Sequence, residues 1–343
     1  MIQPFIYQAL PTRVIFGRGK QQAVKAGAER LGLKRPLVIT GKQQSALGKA
    51  LAAQNGWPHW DGAKMHTPVD VTDTALAVFK SEGADGVIAL GGGSAIGLGK
   101  AIALRTDCAQ LCLPTTFAGS EMTNILGETA AGTKTTKRDA KIQPETVIYD
   151  PDLVGTLPPL MAATSGMNAI AHAVEGLYAV DGNPIIALMA EEGIVALAAA
   201  LPAGDTEKAL YGAWLCGTVL GSVSMALHHK LCHVLGGTFN LPHSETHTVV
   251  LPQATAYNAS AAPDAMLRIA RALNAKSAAA GLFDLAKNLN APTSLKELGM
   301  PEDGLDKAAD MAVAAPYPNP KPLERAALRQ LLQNAYDGRR PAE

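Results

Sequence analysis

The chain has 343 residues, 48% of them hydrophobic, with Lys+Arg and Asp+Glu balanced at 30 each. That length suits two domains of ordinary size, each able to bury its own core. A balanced charge supplies no global field to attract nucleic acid or an anionic membrane, so small-molecule chemistry is expected.

Taken in order, the first half alternates short β-branched runs with Ala-rich helical stretches. The patterns predict strands at 12–16, 36–40, 86–90, 110–114 and 146–149, and helices at 20–31, 43–55, 72–82 and 94–104. Strands alternating with helices imply a parallel sheet covered on both faces, with ligands at the carboxyl ends of its strands. The strand at 86–90 runs into Gly91-Gly92-Gly93-Ser94, and a helix follows at once. Glycines let a backbone approach a phosphate closely, and a helix N-terminus offers unpaired N–H groups, so this stretch reads as a diphosphate cradle. It is not a GxGxxG fingerprint, since residue 96 is Ile, and a plain strand-to-helix turn is the alternative.

Thr115, Thr116 and Ser120 follow the next strand end, where their hydroxyls can meet sugar or phosphate oxygens. After 36–40 come Thr40, Gly41 and Lys42, without the acid that would bind a ribose 2′-hydroxyl. A lysine there tolerates a 2′-phosphate, so either NADH or NADPH is expected; a plain surface lysine is the other reading. Residues 131–141 carry Lys134, Lys137, Arg138 and Lys141 against one acid, which suits a solvated hairpin or cations aimed at a substrate carboxylate.

Beyond Leu157 the strand signal disappears, and apolar periodicity predicts helices at 161–180, 185–201, 206–236, 263–273, 278–289, 302–314 and 324–336. The expected domains are therefore 1–157, α/β and nucleotide-binding, and 158–343, all-helical. Residues 209–227 carry no charge and are long enough to be weighed as a membrane span. Gly212, Gly217 and Gly221 resemble the small-residue contacts of such spans, but the segment is isolated, rich in Gly, Ser and Ala rather than Leu and Ile, and runs straight into the histidines, which favours a buried central helix. Four cysteines without a CxxC pair, and a start (MIQPFIYQAL) unlike a signal peptide, lead to the expectation of a reducing cytoplasm.

Five of the eight histidines lie between Leu227 and His247. His229 and His233 are four apart and share a helix face, and Gly236-Gly237 allows Pro242-His243 to turn back toward it. Asn168 and His172 repeat the four-residue spacing on another helix. Imidazoles facing one another make a metal site, an acid/base site or a hydrogen-bonded core. With the cradle in the first half and the histidines in the second, the active site is expected in a cleft between the domains. Lys230, beside the histidines, faces solvent or pairs with a substrate carboxylate.

GGGSAIGLGKAIAL, PTTFAGSEMTNILGE, TVIYDPDL, SGMNAIAHAVEGLYA, LHHKLCHVLGGTFNLPHSETHTVVLP and YPNPKPL together resemble the iron-containing alcohol dehydrogenase superfamily, and more closely its maleylacetate reductase branch. The resemblance covers nearly the whole chain and implies a dehydroquinate synthase-like fold. In metal-dependent members an Asp and three His bind Fe²⁺ or Zn²⁺; the matching positions here are Asn168, His172, His229 and His243. A neutral amide at Asn168 removes one ligand charge and weakens divalent-metal binding. Gly97 likewise stands where metal-dependent members carry Asp. Both departures resemble the reductase branch, which works without an obligatory metal. The resemblance therefore implies NAD(P)H-dependent reduction of maleylacetate to 3-oxoadipate in aromatic catabolism, by a homodimer. His172, His229 and His243 would act as hydrogen-bond donors or acids, His233 would lie near the nicotinamide, and Ser120, Lys141 and Lys230 are candidates for the dicarboxylate. The alternatives are a metal-dependent alcohol dehydrogenase or aldehyde reductase, and a non-catalytic nucleotide-binding protein.

Overall fold

The computed structural model describes residues 4–130 and 133–342. The chain divides into two compact units, Ala9–Leu157, and Pro158–Glu343 with Met1–Gln8.

The first unit contains strands β1 (Arg13–Phe16), β2 (Leu37–Ile39), β3 (His59–Trp60), β4 (Gly86–Gly91), β5 (Ala109–Pro114), β6 (Ile125–Ala130), β7 (Thr133–Arg138) and β8 (Thr146–Tyr149). Its helices are α1 (Val24–Arg30), α2 (Ser45–Asn55), α3 (Val69–Ser81), α4 (Gly93–Thr106) and the short α5 (Pro151–Val154). Six strands form one parallel sheet in the order β1-β8-β5-β4-β2-β3. Leu37, Val38, Ile39, Val87, Ile88, Leu111, Val147 and Ile148 are wholly buried, as continuous apolar runs must be in a sheet covered on both faces. Each such side chain contributes about 1.5–3 kcal/mol on leaving water.

The predicted strands correspond to β1, β2, β4, β5 and β8 within a residue or two. β3 escaped the sequence reading because a two-residue strand, His59–Trp60, has no periodicity to display. The expected hairpin is real: β6 and β7 pair antiparallel, with Ile125 opposite Arg138. The Lys134 side chain and residues 131–132 lie outside the described structure.

The second unit is built of α6 (Pro159–Gly176), α7 (Pro184–Ala203), α8 (Thr206–Ser222), α9 (Leu227–Phe239), α10 (His243–Asn258), α11 (Pro263–Ala272), α12 (Ala278–Asn288), α13 (Gly304–Val313) and α14 (Arg325–Tyr336). The helix expected over 206–236 is in fact two, α8 and α9, bent by 93°. Long-range carboxylates fix the break. Asp181 accepts from the Ser224 amide and hydroxyl, both at 2.8 Å, and Glu175 accepts from the Ala226 amide at 2.9 Å. The stretch 209–227 lies inside this unit, with Leu210, Ala213, Cys216 and Val219 wholly buried. It meets α7 closely: a Cβ on Gly212 would sit 2.8 Å from Leu197 and 3.0 Å from Ala196, so the small residue sets the helix spacing. Among the described residues, α7 is the one unbroken helix long and apolar enough to cross a membrane, with mean hydropathy 1.8, and it packs along α8.

α10 was not predicted, because Pro252 reads as a breaker yet lies within it. Leu227, Leu231 and Leu235 occupy one face of α9 and pack in a core with Val250, Ala254, Leu305 and Leu332. That packing fixes the rotation of α9 and so the direction of its histidines.

Candidate active site

In the sheet unit, Gly91 has φ +153°, and a Cβ there would come within 2.9 Å of Ala95. A Cβ on Gly92 would meet Thr116 at 2.8 Å. The Thr115 amide donates to the Gly91 carbonyl at 3.1 Å, so the glycine run and the 115–116 segment lie side by side. Gly92 caps α4 without a side-chain hydrogen bond, which leaves the first-turn amides at Gly93 and Ser94 available to an anion. Gly41 also borders this region: a Cβ there would lie 4.0 Å from the Ser94 hydroxyl. Backbone, glycine space and a helix N-terminus thus form a cradle that fits a diphosphate.

Lys100, nearly two turns further along α4, is wholly buried. Its ammonium donates to the carbonyls of Ser120, Thr123 and Ile125 at 2.6, 2.6 and 3.0 Å, and to the Thr123 hydroxyl at 2.9 Å. Burial pushes Lys100 down to about 7, against oxygens that favour its charged form. It therefore ties down the loop after β5 that carries Ser120. The neighbouring Glu121 is buried and accepts from the Tyr149 hydroxyl at 2.7 Å. Nothing in the sequence marks Lys100, since a lone lysine in a helix reads as solvent-facing.

Thr40 is wholly buried, and its hydroxyl bonds His59 Nε2 at 2.9 Å, so the side chain turns inward. Lys42 is exposed and pairs at 2.7 Å with Asp61, which also takes the Ser45 hydroxyl at 2.7 Å. An acid does stand at this edge of the sheet, then, on the residue that follows β3. These two bonds hold the Asp61 carboxyl down at about 2.

In the helical unit, α6 presents Asn168 and His172, both 3% exposed, and α9 presents His229, 7% exposed. The His172 and His229 rings are 5.2 Å apart. His247, from the first turns of α10, lies 5.0 Å from His229, 4.8 Å from His228 and 4.4 Å from His243. The structure thus draws His172, His228, His229, His243 and His247 into one cluster. His243 is half-buried, whereas His233 is exposed while His229 four residues earlier is buried, so the shared face runs from interior to surface. His228 and His247 were passed over in the sequence because their spacing to a partner is legible only when α10 is known. Glu175 was missed too, although it sits three residues beyond His172 on the same helix.

Burial holds His228 and His229 down at about 3 and His172 and His247 well below the usual range, so all four imidazoles are neutral. Among the described residues, Asn168 Oδ1, His172 Nδ1, His229 Nε2 and both His247 ring nitrogens are buried without a hydrogen-bond partner. Such orphaned atoms in one place call for a ligand. For a divalent cation, Asn168, His172 and His229 supply lone pairs, with His243 beside them, but no anion among them. The closest groupings of ligand type are His228–Cys232–His247 and Glu175–His228–His229. In both, the key atoms are already used: His228 Nε2 meets the His247 carbonyl at 3.0 Å, and Glu175 receives two backbone amides and His229 Nδ1.

The remaining candidates lie elsewhere in their units. Lys141 is exposed and pairs with Asp107 at 3.2 Å, and Ser120 is half-buried. Lys230 is half-buried and lies 5.8 Å from the Tyr317 ring centre. A Cβ on Gly97 would come within 2.5 Å of the Thr67 hydroxyl, so an Asp at that position requires Thr67 to move. The four cysteines are free thiols.

Residues 11–151 match the model of iron-containing alcohol dehydrogenase, and residues 162–336 that of the Fe-containing alcohol dehydrogenase family, C-terminal. The chain is 54% identical to maleylacetate reductase from Burkholderia cepacia, over 98% of this chain and 99% of the relative. It is 52% identical to that of Rhizobium sp. (strain MTP-10005), over 99% and 100%. The crystal structure of maleylacetate reductase from Agrobacterium tumefaciens superposes with a TM-score of 0.96 at 52% identity, covering 99% of this chain and 100% of the other.

Proposed function

This chain belongs to the iron-containing alcohol dehydrogenase family, within its maleylacetate reductase branch, and on that premise we propose that it reduces maleylacetate to 3-oxoadipate with NADH or NADPH. Identity of about half over the full length to several maleylacetate reductases carries the reading. We place the reaction in aromatic-compound degradation, in a cytoplasmic homodimer that needs no metal.

Bound NAD(P)H supplies hydride from nicotinamide C4. The Gly91–Ser94 cradle, with Thr115 and Thr116 against it, is the proposed seat of the diphosphate. Maleylacetate is an α,β-unsaturated ketone, so hydride adds to the alkene carbon β to the carbonyl and negative charge moves onto the ketone oxygen. That enolate oxygen requires a hydrogen-bond donor, and the α carbon then takes one proton. His172 and His243 are assigned to these tasks, with His233 toward the nicotinamide and Asn168 toward the substrate. A neutral buried imidazole such as His172 suits donation to an enolate, since it adds no charge that must be desolvated. Lys230, Lys141 and Ser120 are the candidates for the two carboxylates; of these Lys230 adjoins the cluster in sequence, and Lys141 is engaged with Asp107.

If a metal is present, Asn168, His172, His229 and His243 would hold it, and it would polarise the ketone. The orphaned lone pairs of the first three favour this second reading, and the missing carboxylate opposes it. The test of substrate is isotopic: with NADH deuterated at the transferred position of C4, 3-oxoadipate should gain one deuteron. Unlabelled product, or none, contradicts the assignment.

A further inference from the structure

Glu175 shares α6 with Asn168 and His172, yet no catalytic assignment above uses it. Its side chain is wholly buried and both oxygens are claimed. Oε1 accepts from the His228 amide at 2.8 Å; Oε2 accepts from the Ala226 amide at 2.9 Å and meets His229 Nδ1 at 2.7 Å. Burial raises the Glu175 carboxyl, while the backbone amides oppose that shift by bonding its anion.

A neutral imidazole carries one N–H, and the surroundings decide which ring nitrogen holds it. On Nε2 that N–H would find no acceptor among the described residues, and the 2.7 Å contact at Nδ1 would need a second proton, on Glu175. A buried N–H without an acceptor is a rarer and costlier defect than an under-used lone pair. With the proton on Nδ1, Glu175 keeps three donors and Nε2 presents only a lone pair. We propose that Glu175 is a positioning residue that holds His229 as the Nδ1–H tautomer, turning the Nε2 lone pair, and no proton, toward the histidine cluster. This deepens the function proposed above and rests on its assignment of the cluster as the active site.

The consequence is a division of labour. His229 accepts a hydrogen bond and orients its donor, and the partner of the enolate oxygen comes from the other histidines. Glu175 performs a second task with the same carboxylate. Ala226, at the N-cap of α9, has no side-chain oxygen, and Glu175 supplies the cap from α6. The start of α9 and the rotation of the His229 ring are therefore set by one group.

The test is ¹⁵N NMR of the full chain labelled on histidine, with the His229 signals identified by their loss in His229→Asn. Protonated Nδ1 and unprotonated Nε2 are expected; the reverse pattern overturns the proposal. Glu175→Gln should lower kcat by about 10–100-fold, the usual cost of losing such an outer partner, while KM for maleylacetate stays within about threefold. The variant's His229 signals should also shift toward a protonated Nε2. A folded Glu175→Gln with unchanged kcat overturns the proposal, and if that variant does not fold, the wild-type spectrum still decides. Failure of the wild type to turn over maleylacetate would instead reject the substrate assignment and leave the tautomer measurement standing.

Discussion

The two units build their chemistry from different materials. In the sheet unit the candidate site is made of what is missing: glycines at 91 and 92 that leave room, and amides at the start of α4 that no side chain caps. In the helical unit it is made of what is present, five imidazoles and an amide, among which Asn168 Oδ1, His172 Nδ1, His229 Nε2 and both His247 ring nitrogens lack a hydrogen-bond partner among the described residues. The difference teaches where each unit is vulnerable. Truncating side chains should cripple the helical unit and spare the cradle; adding a single Cβ should do the reverse.

The largest expected effect is on the imidazoles. His172→Ala should reduce kcat by about 10²–10⁴-fold, the range for removing a general acid or base, with a much smaller change in KM for NADH. Steady-state kinetics with each substrate varied in turn will check this. Next comes Gly92→Ala, whose Cβ would press on Thr116 at 2.8 Å. Overpacking of about 1–3 kcal/mol, with tenfold per 1.4 kcal/mol, gives about a 5–140-fold rise in KM for NADH with kcat little changed. If instead kcat collapses and KM holds, the cradle is not where the nucleotide sits.

Acid should separate the units by stability. His172, His228, His229 and His247 are neutral in the fold, with values below the ordinary 6.5. The unfolded chain binds more protons below pH 6.5, so stability is full above that pH and is lost on descent toward about 3. Each such histidine costs up to about 1.4 kcal/mol per pH unit in that window. Calorimetric scans from pH 7 to 4 should show the helical unit melting earlier with each step; a flat midpoint would mean that the cluster is solvated. The smallest effect concerns Asp61→Asn, which frees Lys42 from its ion pair. NADPH should then gain a few-fold on NADH in kcat/KM, the modest scale of an exposed, solvent-screened ion pair.

The same contrast governs what was legible in the sequence. Strands β4 and β5 announced themselves because sheet burial on both faces forces continuous apolar runs, and Gly91–Ser94 stood out at their ends. Asn168, His172 and His229 were found by four-residue spacing, a local property of helices. What stayed hidden depends on partners far along the chain. The α8–α9 bend carries no proline or glycine between residues 223 and 226; Asp181 and Glu175 make it, from more than forty residues away. His247 joins the cluster only because α10 continues through Pro252, and Asp61 reaches Lys42 only because the two-residue β3 pairs with β2. Lys100 shows the limit most clearly, since a lysine becomes a buried strut only once four oxygens surround it.

Chelator-treated protein given maleylacetate and NADH tests the central claim most directly, with the loss of NADH absorbance as the signal. Turnover of about 1–10³ per second, unchanged by added Zn²⁺ or Fe²⁺, is the expected result and leaves the enolate to the chain's own histidines. Silence that reverses on adding either metal would contradict it and make Asn168 a working ligand.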